Sequence, residues 1–247
     1  MAQPAILSPI KPQIQLPGEN IRPGYTQANL TQIQVSTGYR FYTPAQAGVI
    51  TPSAGLTYGV PPEKSRRQLQ AAMRWIENFI MQPHPRLGRA GVVCPYVKPC
   101  LDANIFYLSL APMAHPERYD EIFRMMHTHA RIFSRMEPRT GPLENLRVLM
   151  VLVPNGRDSV LSDPDLSKRL KTEMMERNVT IGQFFPTLNP IKYVKSKFFP
   201  NQPPFCMYTM RTFIRSDWMF IQNEPEWRQV YLDKFGTPPE RPKEFTL

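Results

Sequence analysis

A break in composition near residue 63 constrains the fold of this chain more than any single motif. Residues 1–62 contain nine of the 28 prolines, one acid and three bases, among many Gln, Thr and Gly residues. Such a segment buries too little apolar surface to offset the backbone entropy of folding, about 1–2 kcal/mol per residue. We therefore predict an arm at residues 1–62, one domain at 63–240 and a tail at 241–247.

The arm carries more aromatic residues than a purely solvating tail needs: Tyr25, Tyr39, Phe41, Tyr42 and Tyr58. Sparse apolar anchors in an extended chain are how docking segments bind. Two interpretations are open. The arm docks on its own domain, a second copy or a larger assembly, or it is an idle tail.

Periodicity within the domain predicts four helices and three strands. The helices begin at Glu63, Pro116, Ser162 and Asn223, and the third has Ser162 and Asp165 in a capping-box spacing. The strands cover residues 104–110, the continuous apolar run 146–153, and 207–214. The order of these helices and strands along the chain predicts an α+β fold. It has a small mostly antiparallel sheet with helices packed on it, and the long irregular arm precedes it.

The net charge of +10 raises the question of nucleic acid. Its densest part is residues 189–215, with five bases and no acid. No nucleic-acid-binding motif accompanies this charge, which favours a solvated loop beside an anionic ligand or partner. No apolar run reaches the length of a membrane span, and three cysteines make no disulfide framework, so we predict a cytoplasmic protein.

The histidines and cysteines do not show a familiar metal spacing. His127 and His129 point about 200° apart on one helix and cannot share an ion. The spacing of Cys94 and Cys100 is wider than a zinc knuckle. A zinc site made of the three cysteines and His84 is left as a weak alternative.

The loop at residues 83–100 is the first candidate for chemistry because it places Arg86 and Arg89 near Cys94. Neighbouring cations lower the pKa of a thiol and enrich the nucleophilic thiolate, which also suits haem iron. Free cysteines are usually small buried apolar residues. Three interpretations of Cys94 are therefore open: nucleophile, iron ligand or packing residue.

A second candidate segment follows the last strand. Arg211, if it points inward, could bind a carboxylate as a bidentate fork. Ser216 or Asp217 is most simply the N-cap of a short turn, next to Trp218. We expect this segment and the loop to line one pocket for a small anionic or amine ligand.

Two short elements carry a resemblance. Val93-Cys94-Pro95-Tyr96, the strand after it, and the later run from Met210-Arg211 to Ser216-Asp217-Trp218 resemble an uncharacterised bacterial domain family over about residues 65–236. The chain is also distantly similar to the YqcI/YcgG family, some of whose members are haem-dependent N-oxygenases acting on small amines or guanidines. Here the order is Cys-Pro where that family has Pro-Cys.

The leading hypothesis is a small-molecule-modifying enzyme, and the resemblance implies haem as cofactor and an oxygenase of a biosynthetic pathway. Cys94 and His84 are the candidate cofactor-binding residues. The candidate substrate-binding residues are Arg86, Arg89, Tyr96, Arg211, Ser216, Asp217 and Trp218. The alternative is a non-catalytic binding or adaptor protein that docks to a partner, or to itself, through residues 1–62.

Overall fold

A computed structural model describes residues 40–42, 62–87, 90–103, 105–187 and 203–238. The strands are β1 (Arg40–Tyr42), β2 (Phe106–Leu110), β3 (Val148–Val153), β4 (Val179–Phe184) and β5 (Cys206–Thr212). The α-helices are α1 (Pro62–Trp75), α2 (Val97–Asp102), α3 (Tyr119–Arg135), α4 (Asp158–Leu161), α5 (Pro164–Glu176), α6 (Trp218–Ile221) and α7 (Pro225–Phe235). A π-helical turn, Ile76–Ile80, extends α1, and short 3-10 turns lie at Pro85–Leu87 and Arg215–Asp217.

The five strands form one sheet in the order β1-β2-β3-β5-β4. β2 and β3 are parallel, and the other three neighbouring pairs are antiparallel. Helix α3 lies between the two parallel strands in sequence, because parallel neighbours need a long crossover connection. The predicted α+β fold with a mostly antiparallel sheet is confirmed.

Helix α1 covers one face of the sheet. The strand register places Leu110, Leu152, Met207 and Phe184 in one row across the strands. Trp75, at the end of α1, meets the Phe184 ring edge-on at 5.2 Å between ring centroids. This row therefore lies under α1, and Leu110 marks the end of the row nearest β1.

Helices α3 and α5 cover the other face. Ser109 of β2 hydrogen-bonds His129 of α3, and Gln183 of β4 donates to Ser167 of α5 at 3.2 Å. Every residue of β2 and β3 is buried, as the continuous apolar run at 146–153 predicts for a strand covered on both faces. None of the helices among the described residues is long and apolar enough to span a membrane.

His129 is a polar residue in the middle of this packing. Its Nδ1 donates to the Met125 carbonyl at 2.8 Å, so its Nε2 accepts from the Ser109 hydroxyl at 2.9 Å. Both side chains are fully buried. Desolvation lowers the pKa of His129 to about 4, so the ring is neutral at pH 7.

Two details of the prediction need correction. The N-cap of α5 is Asp163, not Ser162, because the Asp163 carboxylate accepts from the Leu166 amide at 2.9 Å. Strands β1 and β4 were not predicted. β1 is only three residues long and lies within the predicted arm, while β4 follows α5 after two residues and contains Gly182, which weakens the strand pattern.

Candidate functional site

The two parallel strands end side by side beneath α1. Leu110 pairs with Leu152, and the next amide, Ala111 N, donates to Leu152 O at 2.8 Å. Pro112 and Pro154 each follow two residues after this pair, so they occupy equivalent positions beyond the two strands. Because proline cannot donate to a ladder, regular pairing stops there.

Asn155 fixes the two strand ends together. Its side-chain oxygen accepts from the Met113 amide at 3.0 Å, and its side-chain nitrogen donates to the Met113 carbonyl at 2.6 Å. One amide side chain thus replaces the backbone ladder that the prolines interrupt. The two hydrogen bonds of Asn155 therefore hold the two prolines next to each other.

The first turn of α1 lies against these strand ends. Ser65 is one turn before Leu69 in the stripe that continues with Ala72 and Ile76, so the sequence places it on the buried side of the helix. Ser65 is 2 % exposed, and its hydroxyl has no hydrogen-bond partner among the described residues. The amides of a first helical turn have no partner within the helix either, and the helix dipole makes this end positive.

These elements enclose a pocket of about 170 Å³, well above the share of one water, about 30 Å³. Its lining residues are Lys64, Ser65, Gln68, Leu110, Pro112, Pro154 and Asn155. Among the described lining residues, α1 contributes Lys64, Ser65 and Gln68 and the strand ends contribute Leu110, two prolines and Asn155, and most of the lining surface is apolar. Such a pocket can hold an anionic group at its α1 end.

The acid nearest to the pocket in sequence is already paired. Glu63 accepts from Arg67 Nε at 2.8 Å and also from Arg66, so both partners lie on its own helix. Hydrogen bonds and charge from these arginines lower the pKa of Glu63. Its carboxylate therefore stays ionised and bound to the two arginines. Lys64 is the one charged residue among the described residues that line the pocket.

The segment around Arg211 lies at the opposite end of β3. Arg211 pairs with Val148, the first residue of that strand, whereas the pocket lies beyond the last. Both terminal nitrogens of its guanidinium donate to the buried Asp217 carboxylate. This carboxylate also accepts from Ile214 N at 3.0 Å. The protein itself thus supplies the carboxylate that was expected to come from a ligand. The N-cap of the short 3-10 turn is Ile214, whose amide Asp217 binds from the third position, and Asp217 makes no side-chain capping hydrogen bond to α6.

Two further candidates of that segment differ in exposure. Ser216 is exposed, and Trp218 is partly buried against the Tyr231 ring, 5.0 Å between centroids. Neither residue is among the described residues that line the pocket under α1. Their role in substrate binding stays a prediction.

The cysteines of the predicted loop differ in environment. Cys94 is partly buried against the core, and its amide donates to Ile80 O at 3.0 Å. Cys100 is fully buried and donates to Leu146 O at 2.6 Å. Burial raises the pKa of Cys100 to about 12, so this thiol is not a nucleophile at neutral pH.

The remaining loop candidates that the structure describes are not among the residues that line the pocket. His84 stands edge-on to Phe79, with 5.9 Å between ring centroids, and Tyr96 is exposed. The Arg86 side chain and the whole of Arg89 lie outside the described residues. The structure therefore separates the pocket from the loop that the sequence favoured.

The described residues do not place the ligands of the alternative zinc site together. Within the parts of the chain that the structure describes, no three His, Cys, Asp or Glu side chains are placed to hold a metal ion. The thiol of Cys206 instead donates to Asp158 at 2.7 Å, and burial raises its pKa. Haem ligation by Cys94, which needs only one protein ligand, stays a prediction.

The residues of the pocket were absent from the sequence-based prediction, although two weak signals pointed to them. Ser65 is a polar residue in the apolar stripe of a helix. Pro112 and Pro154 both follow predicted strands at the same distance, but this matters only if the strands are parallel neighbours. Periodicity alone does not reveal that pairing.

A family model described as "Domain of unknown function (DUF6875)" matches residues 69–245, well over half of the chain. The match includes the strand ends of the pocket and begins just after Gln68. No curated protein and no solved structure matches the chain. Of the two resemblances drawn from sequence, the one to an uncharacterised domain family is confirmed.

Proposed function

The chain belongs to DUF6875, a family of domains of unknown function, and we propose that this domain binds a small molecule through an anionic group in the pocket beneath α1. The bound molecule is the substrate of a small-molecule-modifying enzyme. Ligand sites of α/β enzymes lie outside the carboxyl ends of parallel strands, and this pocket lies at the carboxyl ends of β2 and β3.

The observation that carries the proposal is the Ser65 hydroxyl. A buried polar group without a partner costs about 1–3 kcal/mol, so native proteins rarely keep one without a use. Here Ser65 lies in the first turn of α1, next to Lys64 in sequence, and both residues line the pocket. An anionic oxygen in the pocket would accept from the hydroxyl and meet the positive charges of the helix end and of Lys64.

Replacement of Lys64 by Gln tests the proposal. We expect the dissociation constants for acetate and inorganic phosphate to rise about ten-fold, since a charged hydrogen bond contributes about 1.5 kcal/mol. Isothermal titration calorimetry on the full chain measures this change. The matched control is Arg74→Gln, which removes an exposed cation from the last turn of the same helix. Equal affinities in wild type and Lys64→Gln would refute the proposal.

A second proposal is that the protein binds haem, as the distant similarity to the YqcI/YcgG family implies. It is supported by Cys94, which is partly buried and followed by Pro95, in a loop at the edge of the core. Haem, if bound, would supply oxygen activation; the protein would contribute the thiolate of Cys94.

An absorbance spectrum and iron analysis test this second proposal in protein expressed with a haem precursor. The haem hypothesis expects a Soret band that shifts or vanishes on Cys94→Ala, with Cys206→Ala as the control thiol. A colourless parent without iron would remove haem from the account and leave the anion pocket untouched.

The adaptor alternative concerns residues that are mostly outside the described part of the chain. Only β1 of the predicted arm is described, and it pairs with β2 at the edge of the sheet. Partner capture through residues 1–62 stays a prediction, and deletion of those residues in a pull-down assay tests it.

A further inference from the structure

The residues that line the pocket indicate the chemical nature of the non-anionic part of the ligand. We infer that the ligand is an aromatic carboxylate, with one carboxylate group on a single flat ring. This inference rests on the proposed function and names the ligand class for the same pocket.

The strand side of the pocket offers a surface for a flat apolar body. It is formed by Leu110 and by the neighbouring Pro112 and Pro154. Proline rings have no N–H group and pack well against aromatic rings, the pairing that aromatic grooves use to bind proline-rich peptides. A body of this kind needs no hydrogen bonds from this wall.

Most polar residues among the described lining of the pocket belong to α1. Lys64, Ser65 and Gln68 belong to α1, whereas the Asn155 amide uses its oxygen and its nitrogen on the backbone of Met113. A ligand that fits this distribution is polar at one end and apolar at the other. Inorganic anions and sugars do not have this division.

The charge of the pocket limits the charge of the anionic group, and its volume limits the size of the apolar part of the ligand. Lys64 is the one charged residue among the described residues that line the pocket, which matches a single negative charge, whereas a phosphate dianion has more acceptor oxygens and charge than these residues serve. The volume of about 170 Å³ is below the range of about 300–1,000 Å³ for drug-sized ligands, so it suits one ring and not a nucleotide.

A titration series on the full chain tests the inference. The probes are benzoate, cyclohexanecarboxylate, acetate and inorganic phosphate, each measured by calorimetry at constant ionic strength. We expect benzoate to bind at least ten-fold more tightly than acetate and phosphate, and about three-fold more tightly than cyclohexanecarboxylate. Replacement of Pro112 by Ala is expected to weaken benzoate binding about three-fold.

The outcomes separate this inference from the proposed function. If acetate, phosphate or cyclohexanecarboxylate binds as tightly as benzoate while Lys64→Gln still weakens binding, the aromatic class is wrong and the anion pocket stands. If none of the four probes binds in the millimolar range, both are overturned. Benzoate binding that is insensitive to Lys64→Gln also overturns both, because the carboxylate is then held elsewhere.

Discussion

Replacement of Arg211 by Met is expected to lower the free energy of unfolding by about 3 kcal/mol, which shifts the melting temperature by about 10 °C. The variant leaves the Asp217 carboxylate, whose side chain is 2 % exposed, without its cation. Arg211 itself is one quarter exposed, so the loss falls at the lower end of the range for a broken buried pair. Urea unfolding at pH 7 measures the change.

Two further variants isolate the cause of this loss. Arg228→Met removes an exposed arginine from α7 and should change stability by less than about 0.5 kcal/mol. Asp217→Asn combined with Arg211→Met removes the unpaired charge, so the double variant should be more stable than Arg211→Met alone. A loss below about 1 kcal/mol for Arg211→Met would show that the fork is not structural and would return Arg211 to the candidates for ligand binding.

Acidification from pH 7 to pH 4 is expected to cost about 3 kcal/mol of stability through His129 alone. The unfolded chain takes up a proton on this residue below its ordinary pKa of 6.5, whereas the buried ring in the fold keeps a pKa of about 4. Between these values the unfolded state binds more protons, so stability falls as the pH falls. Urea unfolding at pH 7, 5.5 and 4 measures the slope.

The carboxylates of the protein also lose stability in acid, so a comparison of variants is needed. His129→Gln should flatten the pH dependence between pH 6.5 and 4 relative to wild type, whatever its stability at pH 7. His115→Gln, which changes a largely exposed histidine, should keep the wild-type slope. A wild-type slope that persists in His129→Gln would contradict the buried, neutral state of this ring.

Much of the fold follows from sequence because its central elements satisfy local rules. The run at 146–153 is apolar without interruption, and it forms β3, buried on both faces. Pro225 and Gly236 bound α7 as expected, and Gly236 takes a positive φ of 69° after the last turn. Edge strands give weaker signals, because β1 has three residues and owes its strand conformation to pairing with β2.

The candidate site was harder to predict because it depends on long-range pairing. Arg211 and Asp217 are six residues apart, so their proximity was foreseeable, but not that each would satisfy the other. The pocket joins Ser65 to Pro112 and Pro154, which are distant in sequence and become neighbours only when β2 and β3 pair in parallel under α1. No local pattern encodes that arrangement.

The measurement that most directly tests the anion pocket is a titration of ¹⁵N-labelled protein with benzoate, followed residue by residue by NMR. The account predicts saturable shifts of the Lys64, Ser65 and Gln68 amides together with those of Leu110 and Asn155, and their loss in Lys64→Gln. Saturable shifts centred instead on Cys94 and Arg211, with the first turn of α1 unchanged, would contradict it.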